Sequence, residues 1–194
     1  MQWYNPSNGT WDGKSEGNPS GAYLFKPKFG DQESRYYSTY HSTAVLTDKG
    51  DGDLAQEIVM YFRGDYSNNN RVYTAHARLV ESSNLIEWEI QMNGIPIEIM
   101  GISTGMEVVA KWELIGADNQ ETFYTDSNGL EMQQRMLNER PDFTLKTDMK
   151  VSSNYYPINS AIAFRDANSG MQMTVMNDRS QGGAVIENGT IELM

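Results

Sequence analysis

The chain has 194 residues, 39% of them hydrophobic and 11% aromatic, with 17 glycines, a formal net charge of −11 and a pI near 4.6. That length supports one domain with its own core and excludes two full-sized ones, and the apolar fraction excludes disorder throughout. The acidity repels phosphate backbones and no Lys/Arg cluster offsets it, which argues against nucleic acid and anionic membrane as partners; the absence of cysteine excludes disulfides and thiolate zinc sites.

Residues 1–19 are rich in Asn, Gly, Ser and Pro, with Trp3, Tyr4 and Trp11 among them, and read as an ordered N-terminal arm. The opening Met1-Gln2-Trp3-Tyr4-Asn5-Pro6 lacks the basic and apolar regions of a secretion signal, so either the chain stays inside the cell or its true start lies upstream. From Ser20 to Pro27 a short strand is expected, ending at an edge or turn because Pro27 cannot donate to a ladder. Strand-formers run from Tyr36 to Leu46, followed by the solvated turn Asp48-Lys49-Gly50-Asp51-Gly52-Asp53. Ile58, Met60 and Phe62 then alternate with Val59, Tyr61 and Arg63, and a turn at Asp65–Asn70 leads into a strand from Val72 to Val80.

The alternation is cleanest in the middle of the chain, where Ile86, Trp88, Ile90 and Met92 alternate with Glu87, Glu89 and Gln91. Val108, Ala110, Trp112 and Leu114 do the same against Val109, Lys111 and Glu113, which predicts strands with one buried face each. Phe123–Thr125 runs into Asp126-Ser127-Asn128-Gly129, and Asn-Gly supplies the positive φ angles of a tight hairpin. Leu130, Met132 and Met136 continue beyond it. Arg140-Pro141-Asp142 breaks the chain, and residues 142–153 read as a polar connection with only Phe143, Leu145, Met149 and Val151 to pack. Ile158–Phe164 and Met171–Met176 form a further strand pair around the turn at Asp166–Gly170. After a polar, glycine-rich loop at Asp178–Gly183, the chain closes on the strand Thr190–Met194, a place where a domain is expected to continue. The fold class is therefore all-β and antiparallel, with residues 20–194 as one domain.

Few constellations point to chemistry. Only two histidines, His41 and His76, are present; each falls in a predicted strand and reads as structural or surface, not as a zinc ligand. Gly-x-Ser-x-Gly is absent. Among 26 acids, Glu87 and Glu89 have the pattern of a solvated strand face, and Asp126 that of a turn aspartate bonding its own backbone. Gly182-Gly183 is not followed by a helix that would hold a phosphate, and reads as a bulge or sharp bend. Met132, Met136, Met171, Met173 and Met176 read as core filler. Asn8-Gly9-Thr10 and Asn188-Gly189-Thr190 match the glycan-acceptor pattern, but chance alone gives roughly two such matches in this composition.

Five segments carry a resemblance: Trp3-Tyr4-Asn5-Pro6-Ser7, Ser20-Gly21-Ala22-Tyr23-Leu24-Phe25-Lys26-Pro27, Phe123-Tyr124-Thr125-Asp126-Ser127-Asn128-Gly129, Asn154-Tyr155-Tyr156-Pro157-Ile158 and Asp178-Arg179-Ser180-Gln181-Gly182-Gly183. In this order and spacing they resemble class II α-mannosidases of the lysosomal type, glycoside hydrolase family 38, over nearly the whole chain.

The resemblance implies the middle or C-terminal β region of such an enzyme, an antiparallel β-supersandwich related to galactose mutarotases and incomplete at its C-terminus. Such enzymes are retaining hydrolases of terminal α-mannosyl residues. An aspartate nucleophile and a zinc ion held by His and Asp belong to an N-terminal α/β barrel whose motifs are not found here. The chain thus resembles a fragment without the reaction centre: zinc is the cofactor of the intact enzyme and none is bound by this chain. Its implied partners are mannose-containing glycans and the catalytic barrel of the same full-length polypeptide, and its implied location is the lysosome or secretory pathway. Tyr23 maps onto a tyrosine that contacts the substrate, whereas Asp126, Asn128, Tyr155 and Arg179 match motifs read as turn and strand architecture. The alternative is a stand-alone carbohydrate-binding module, with Trp3, Trp11 and Tyr66 as the aromatics available to line a groove; a further possibility is a purely structural fragment.

Overall fold

The computed structural model describes residues 2–4, 10–11, 14–15, 25–27, 35–36, 44–46, 55–63, 71–95, 98–99, 102–103, 107–145 and 149–194. The chain divides into two compact units, one of residues 1–35 with 105–194 and one of residues 36–104. Every strand pairing whose register is described is antiparallel, as the alternating pattern requires.

The first unit is built on two sheets. The larger begins with β1 (Gln2–Tyr4), while β2 (Thr10–Trp11) and β3 (Lys14–Ser15) form a small separate hairpin. In the second unit, β5 (Ala44–Leu46), β6 (Ala55–Arg63), β7 (Arg71–Val80) and β8 (Ile86–Met92) pair in sequence order, and β9 (Glu98–Ile99) pairs with β10 (Ile102–Ser103). Back in the first unit come β11 (Glu107–Glu113), β12 (Thr122–Ser127), β13 (Glu131–Met136), β14 (Tyr156–Ile158), β15 (Ala161–Arg165), β16 (Gln172–Met176), β17 (Gln181–Ala184) and β18 (Thr190–Leu193). The larger sheet has the order β14-β17-β18-β11-β1-β4, with β4 (Arg35–Tyr36) lying where the unit's first segment ends. The smaller has the order β13-β12-β15-β16. Pro157 sits in β14 at the edge, the one position in a sheet where a missing N–H leaves no ladder bond unmade.

These two sheets face each other as a β-sandwich. Phe123, Ile162 and Phe164 come from the smaller sheet and Ile158, Ile191 and Leu193 from the larger, and together with Val185 they form a buried core rimmed by Trp112, Met173 and Val175. Each such side chain contributes about 1.5–3 kcal/mol of burial free energy. Gly183 is the close-approach point of this core, because a Cβ there would stand 2.5 Å from Ile158 Cγ1 and 2.9 Å from Leu193 Cδ2. That overturns the reading of Gly182-Gly183 as a bulge or bend: both lie inside β17, paired in regular register with β14, and the absence of side chains is a packing requirement.

The turn chemistry follows the sequence. Asn128 and Gly129 have φ of 53° and 72°, and the Leu130 amide donates to the Ser127 carbonyl at 3.0 Å, closing the β12–β13 hairpin. Asp126 at its base is buried and accepts N–H bonds from Gly129, Asn159 and Ser160 at 2.8, 2.8 and 3.0 Å, with a longer one from Ala161 at 3.3 Å. Burial pushes its carboxyl up, but these backbone donors outweigh that and hold it below the usual aspartate value. Asp166 plays the same part at the β15–β16 turn. The Ser169 hydroxyl, then the backbone N–H groups of Asp118 and Ser169, hold its carboxyl down at about 2 against the opposing effect of burial.

Three expectations about apolar residues are corrected. Met132, Met136, Met171 and Met176 are exposed and only Met173 packs against the core, because the remainder lie on strand faces or turns turned away from the opposing sheet. In the second unit Ile86 and Trp88 are 62% and 45% exposed, so the apolar face of β8 is covered only toward its far end, where Phe62 stacks on Tyr73 with ring centroids 4.1 Å apart. Phe143, expected to pack, is exposed, while Val151 is buried.

Candidate functional site

The strand β18 alternates, so once Ile191 and Leu193 face the sandwich core, Glu192 must face the other side of the larger sheet. In a two-layer protein that side is solvent. Here it is covered by a second cluster in which Tyr4, Val109 and Val151 are buried against Phe25, Tyr155 and Met194. Phe25 holds the cover together, its ring 5.6 Å from Tyr4 and 4.9 Å from Tyr155 in tilted and edge-on contacts. Glu192 is left 1% exposed, a carboxylate inside an apolar wrap.

A buried carboxylate is tolerated only when its oxygens are matched by donors. The Tyr4 hydroxyl donates to Oε1 and Oε2 at 2.9 and 3.1 Å, and the Tyr155 hydroxyl donates to Oε1 at 2.6 Å. Lys111, directly opposite Glu192 in the β11–β18 register, places Nζ 3.1 Å from Oε2 and 3.3 Å from Oε1 of the exposed Glu187. Burial, then the Glu192 charge, raises the Tyr155 phenol well above its ordinary range, so it remains a protonated donor.

The connection leading into β14 sets Tyr155 in place. A short 3₁₀ turn at Ser152–Asn154 buries Asn154, which accepts from the Asn138 amide at 2.8 Å and donates to Asn138 Oδ1 at 3.0 Å and to the Lys150 carbonyl at 2.6 Å. Next to it the guanidinium carbons of Arg135 and Arg140 lie 4.4 and 4.2 Å from the ring centroid of Tyr156, and Arg140 also donates to the Tyr156 hydroxyl and the Ser153 carbonyl.

This arrangement cross-links the sheet: both Glu192 oxygens are met by donors from Tyr4, Tyr155 and Lys111, and the side chain is buried. Asp126 and Asp166 are enclosed by N–H and O–H groups in the same way. A cation needs converging lone pairs, and these carboxylates present the reverse: among the described residues no group of three His, Asp or Glu side chains offers a metal site. These acids therefore do not fit zinc.

Tyr23, His41 and Tyr66, and the side chains of Trp3 and Trp11, lie outside the described residues. His76 sits on the polar face of β7, its Nδ1 3.3 Å from Glu57 Oε1, which also accepts from Arg78 at 2.9 Å. Burial pushes the Glu57 carboxyl up, and these two neighbours more than reverse it. Glu87 is exposed and 3.4 Å from Arg78, and Glu89 is exposed beside Gln91, as a solvated face requires. Asn128 accepts from Asn159 Nδ2 at 3.3 Å, and Arg179 pairs with its neighbour Asp178 at the surface. Of Asp126, Asn128, Tyr155 and Arg179, Tyr155 is the one that joins the buried cluster, where Tyr4 and Phe25 from two other motif segments also lie. Sequence reasoning missed Glu192, whose one local signal, an acid between Ile191 and Leu193, describes a solvated strand face equally well.

Comparison with known proteins adds the family. The description "Glycosyl hydrolases family 38 C-terminal domain" matches residues 1–194. The chain is 35% identical over 192 residues to a lysosomal alpha-mannosidase of Bos taurus, 34% to one of Homo sapiens and 33% to an alpha-mannosidase of Canavalia ensiformis. Each alignment covers 99% of this chain and 17% of the relative, so the chain spans about a sixth of the length of the curated relatives it matches. With that match along its whole length, the chain belongs to glycosyl hydrolase family 38, in the region of that family's C-terminal domain.

Proposed function

We propose that this chain is a non-catalytic β-sandwich segment of a zinc-dependent retaining α-mannosidase, the intact enzyme hydrolysing terminal α-mannosyl residues of glycans. The observation that carries this is the state of its buried acids: Glu192, Asp126 and Asp166 are each saturated by donors, so none is a nucleophile or proton donor in waiting. Zinc and the nucleophile belong in this reading to the catalytic barrel of the full-length polypeptide, which the segment supports and whose sugar pocket it completes through Tyr23. The names of the relatives favour a lysosomal or secretory location. Asp126 and Asp166, whose carboxyls are held below the ordinary aspartate value by hydrogen-bond donors, suit an acidic compartment.

The test is turnover of an aryl α-mannoside with zinc present. The purified chain is expected to show none, and the full-length enzyme to show robust activity. Appreciable turnover by the chain alone overturns the reading. In the full-length enzyme Tyr23→Phe is expected to lower kcat/KM roughly three- to ten-fold, the range of one hydrogen bond lost from a sugar hydroxyl.

A further inference from the structure

The turn between β17 and β18 separates its residues sharply. Gly189 is pinned from beneath: its amide donates to Asn119 Oδ1 at 2.8 Å, its carbonyl accepts from the Leu114 amide at 2.8 Å, and its φ is +70°. A Cβ there would stand 3.0 Å from the carbonyl oxygens of both Ala117 and Leu114. Thr190 donates its amide to the Glu187 carbonyl at 3.1 Å, which closes a turn with Asn188 and Gly189 at its two central positions, and its side chain enters the buried strand, only 7% exposed. Asn188 is left at the outer corner, exposed and without a hydrogen bond to any described residue.

Asn188-Gly189-Thr190 is also an acceptor tripeptide for N-linked glycans, with no proline at its centre. Composition alone gives such matches by chance; the placement of this one does not follow from composition. We propose that Asn188 carries an N-linked glycan, an inference that rests on the secretory-route reading of the protein given above. The Asn188 amide nitrogen attacks the anomeric carbon of the reducing-end sugar of a polyprenyl-diphosphate oligosaccharide. The new N–C bond replaces the sugar–phosphate C–O bond, the polyprenyl diphosphate leaves with that electron pair, and one amide proton passes to base.

The fold sets the order of events. The Thr190 hydroxyl needed for acceptor recognition is accessible on the nascent chain and is sealed when β18 joins the sheet, so transfer precedes folding. The product is then tolerated because Asn188 is exposed at the corner of a turn whose hydrogen bonds and ion pair are made by Glu187, Gly189 and Thr190. A glycan at this corner stands off the end of the sandwich at the β17–β18 turn. That end faces solvent in the intact enzyme, and any interface with the barrel uses another surface.

The test uses the full-length enzyme, isolated from its own cells and also secreted from a eukaryotic host. Enzymatic removal of N-glycans is expected to leave aspartate at position 188 in the peptide containing it, read by mass spectrometry. Asn188→Gln is expected to lose one glycan step in gel mobility with kcat/KM unchanged, and any glycan at Asn8 serves as an internal reference. An enzyme glycosylated elsewhere but bearing unmodified asparagine at 188 overturns the inference and leaves the mannosidase reading standing. A protein found wholly outside membrane-bounded compartments in its own cells overturns the inference together with the secretory reading.

Discussion

Tyr4 and Glu192 lie 188 positions apart and share a bifurcated hydrogen bond of 2.9 and 3.1 Å beneath an apolar cover. The phenol reaches across β11, the strand between β1 and β18, so this contact ties the two ends of the described chain into one sheet. Tyr4→Phe is expected to destabilise the chain by about 2 kcal/mol, the range for a hydrogen bond to a charged group. Glu192→Leu leaves the Lys111 ammonium, itself largely buried, without its main partner and is expected to be worse, about 3–5 kcal/mol. Urea denaturation midpoints measure both, and a Glu192→Leu variant as stable as wild type would show that the pair is not held as described.

Asp126 supports a hairpin and the start of β15 at once through four backbone N–H groups. Replacing it with alanine orphans these donors, and a loss on the order of 3 kcal/mol is expected. Asp126→Asn retains one acceptor oxygen and is expected to lose less. Equal losses in thermal melts of the two variants contradict the idea that the accepted bonds, and not side-chain volume, matter here.

Stability is expected to fall at both extremes of pH. Asp126 and Asp166 have folded values below the ordinary 3.8, so on acidification the unfolded chain takes up protons first. Their contribution is full above about pH 4 and is lost as the pH drops toward the Asp166 value of about 2. Tyr155 and Tyr73, raised by burial above the ordinary 10.0, act in the opposite sense: their contribution is full below pH 10 and declines above it as the unfolded chain ionises first. Denaturant midpoints across pH should show both limbs, with the acid limb shallower in Asp166→Asn.

Gly183→Ala places a methyl group into Ile158 and Leu193 and is expected to destabilise by about 2 kcal/mol through overpacking. Gly94→Ala is the matched control, since a Cβ there meets nothing within 4 Å, and it should leave the melting temperature nearly unchanged.

The strands themselves were legible in the sequence because alternation is a local property. Ile58, Met60 and Phe62 in β6, Val109 in β11 and the Asn128-Gly129 turn each declare their conformation to their immediate neighbours, and the structure follows them. The family was legible too, since its motifs are runs of adjacent residues.

Local order alone determined the all-β class and the hairpin turns. Only the tertiary structure decided which faces are covered. Glu192 and Glu89 both sit in alternating strands; one is sealed because β1, Phe25 and Tyr155 arrive from distant parts of the chain, and the other stays in solvent. The exposed methionines and the tight approach at Gly183 have the same origin. Burial is a relation between segments far apart in sequence, and no periodicity within one segment can encode what will be laid against it.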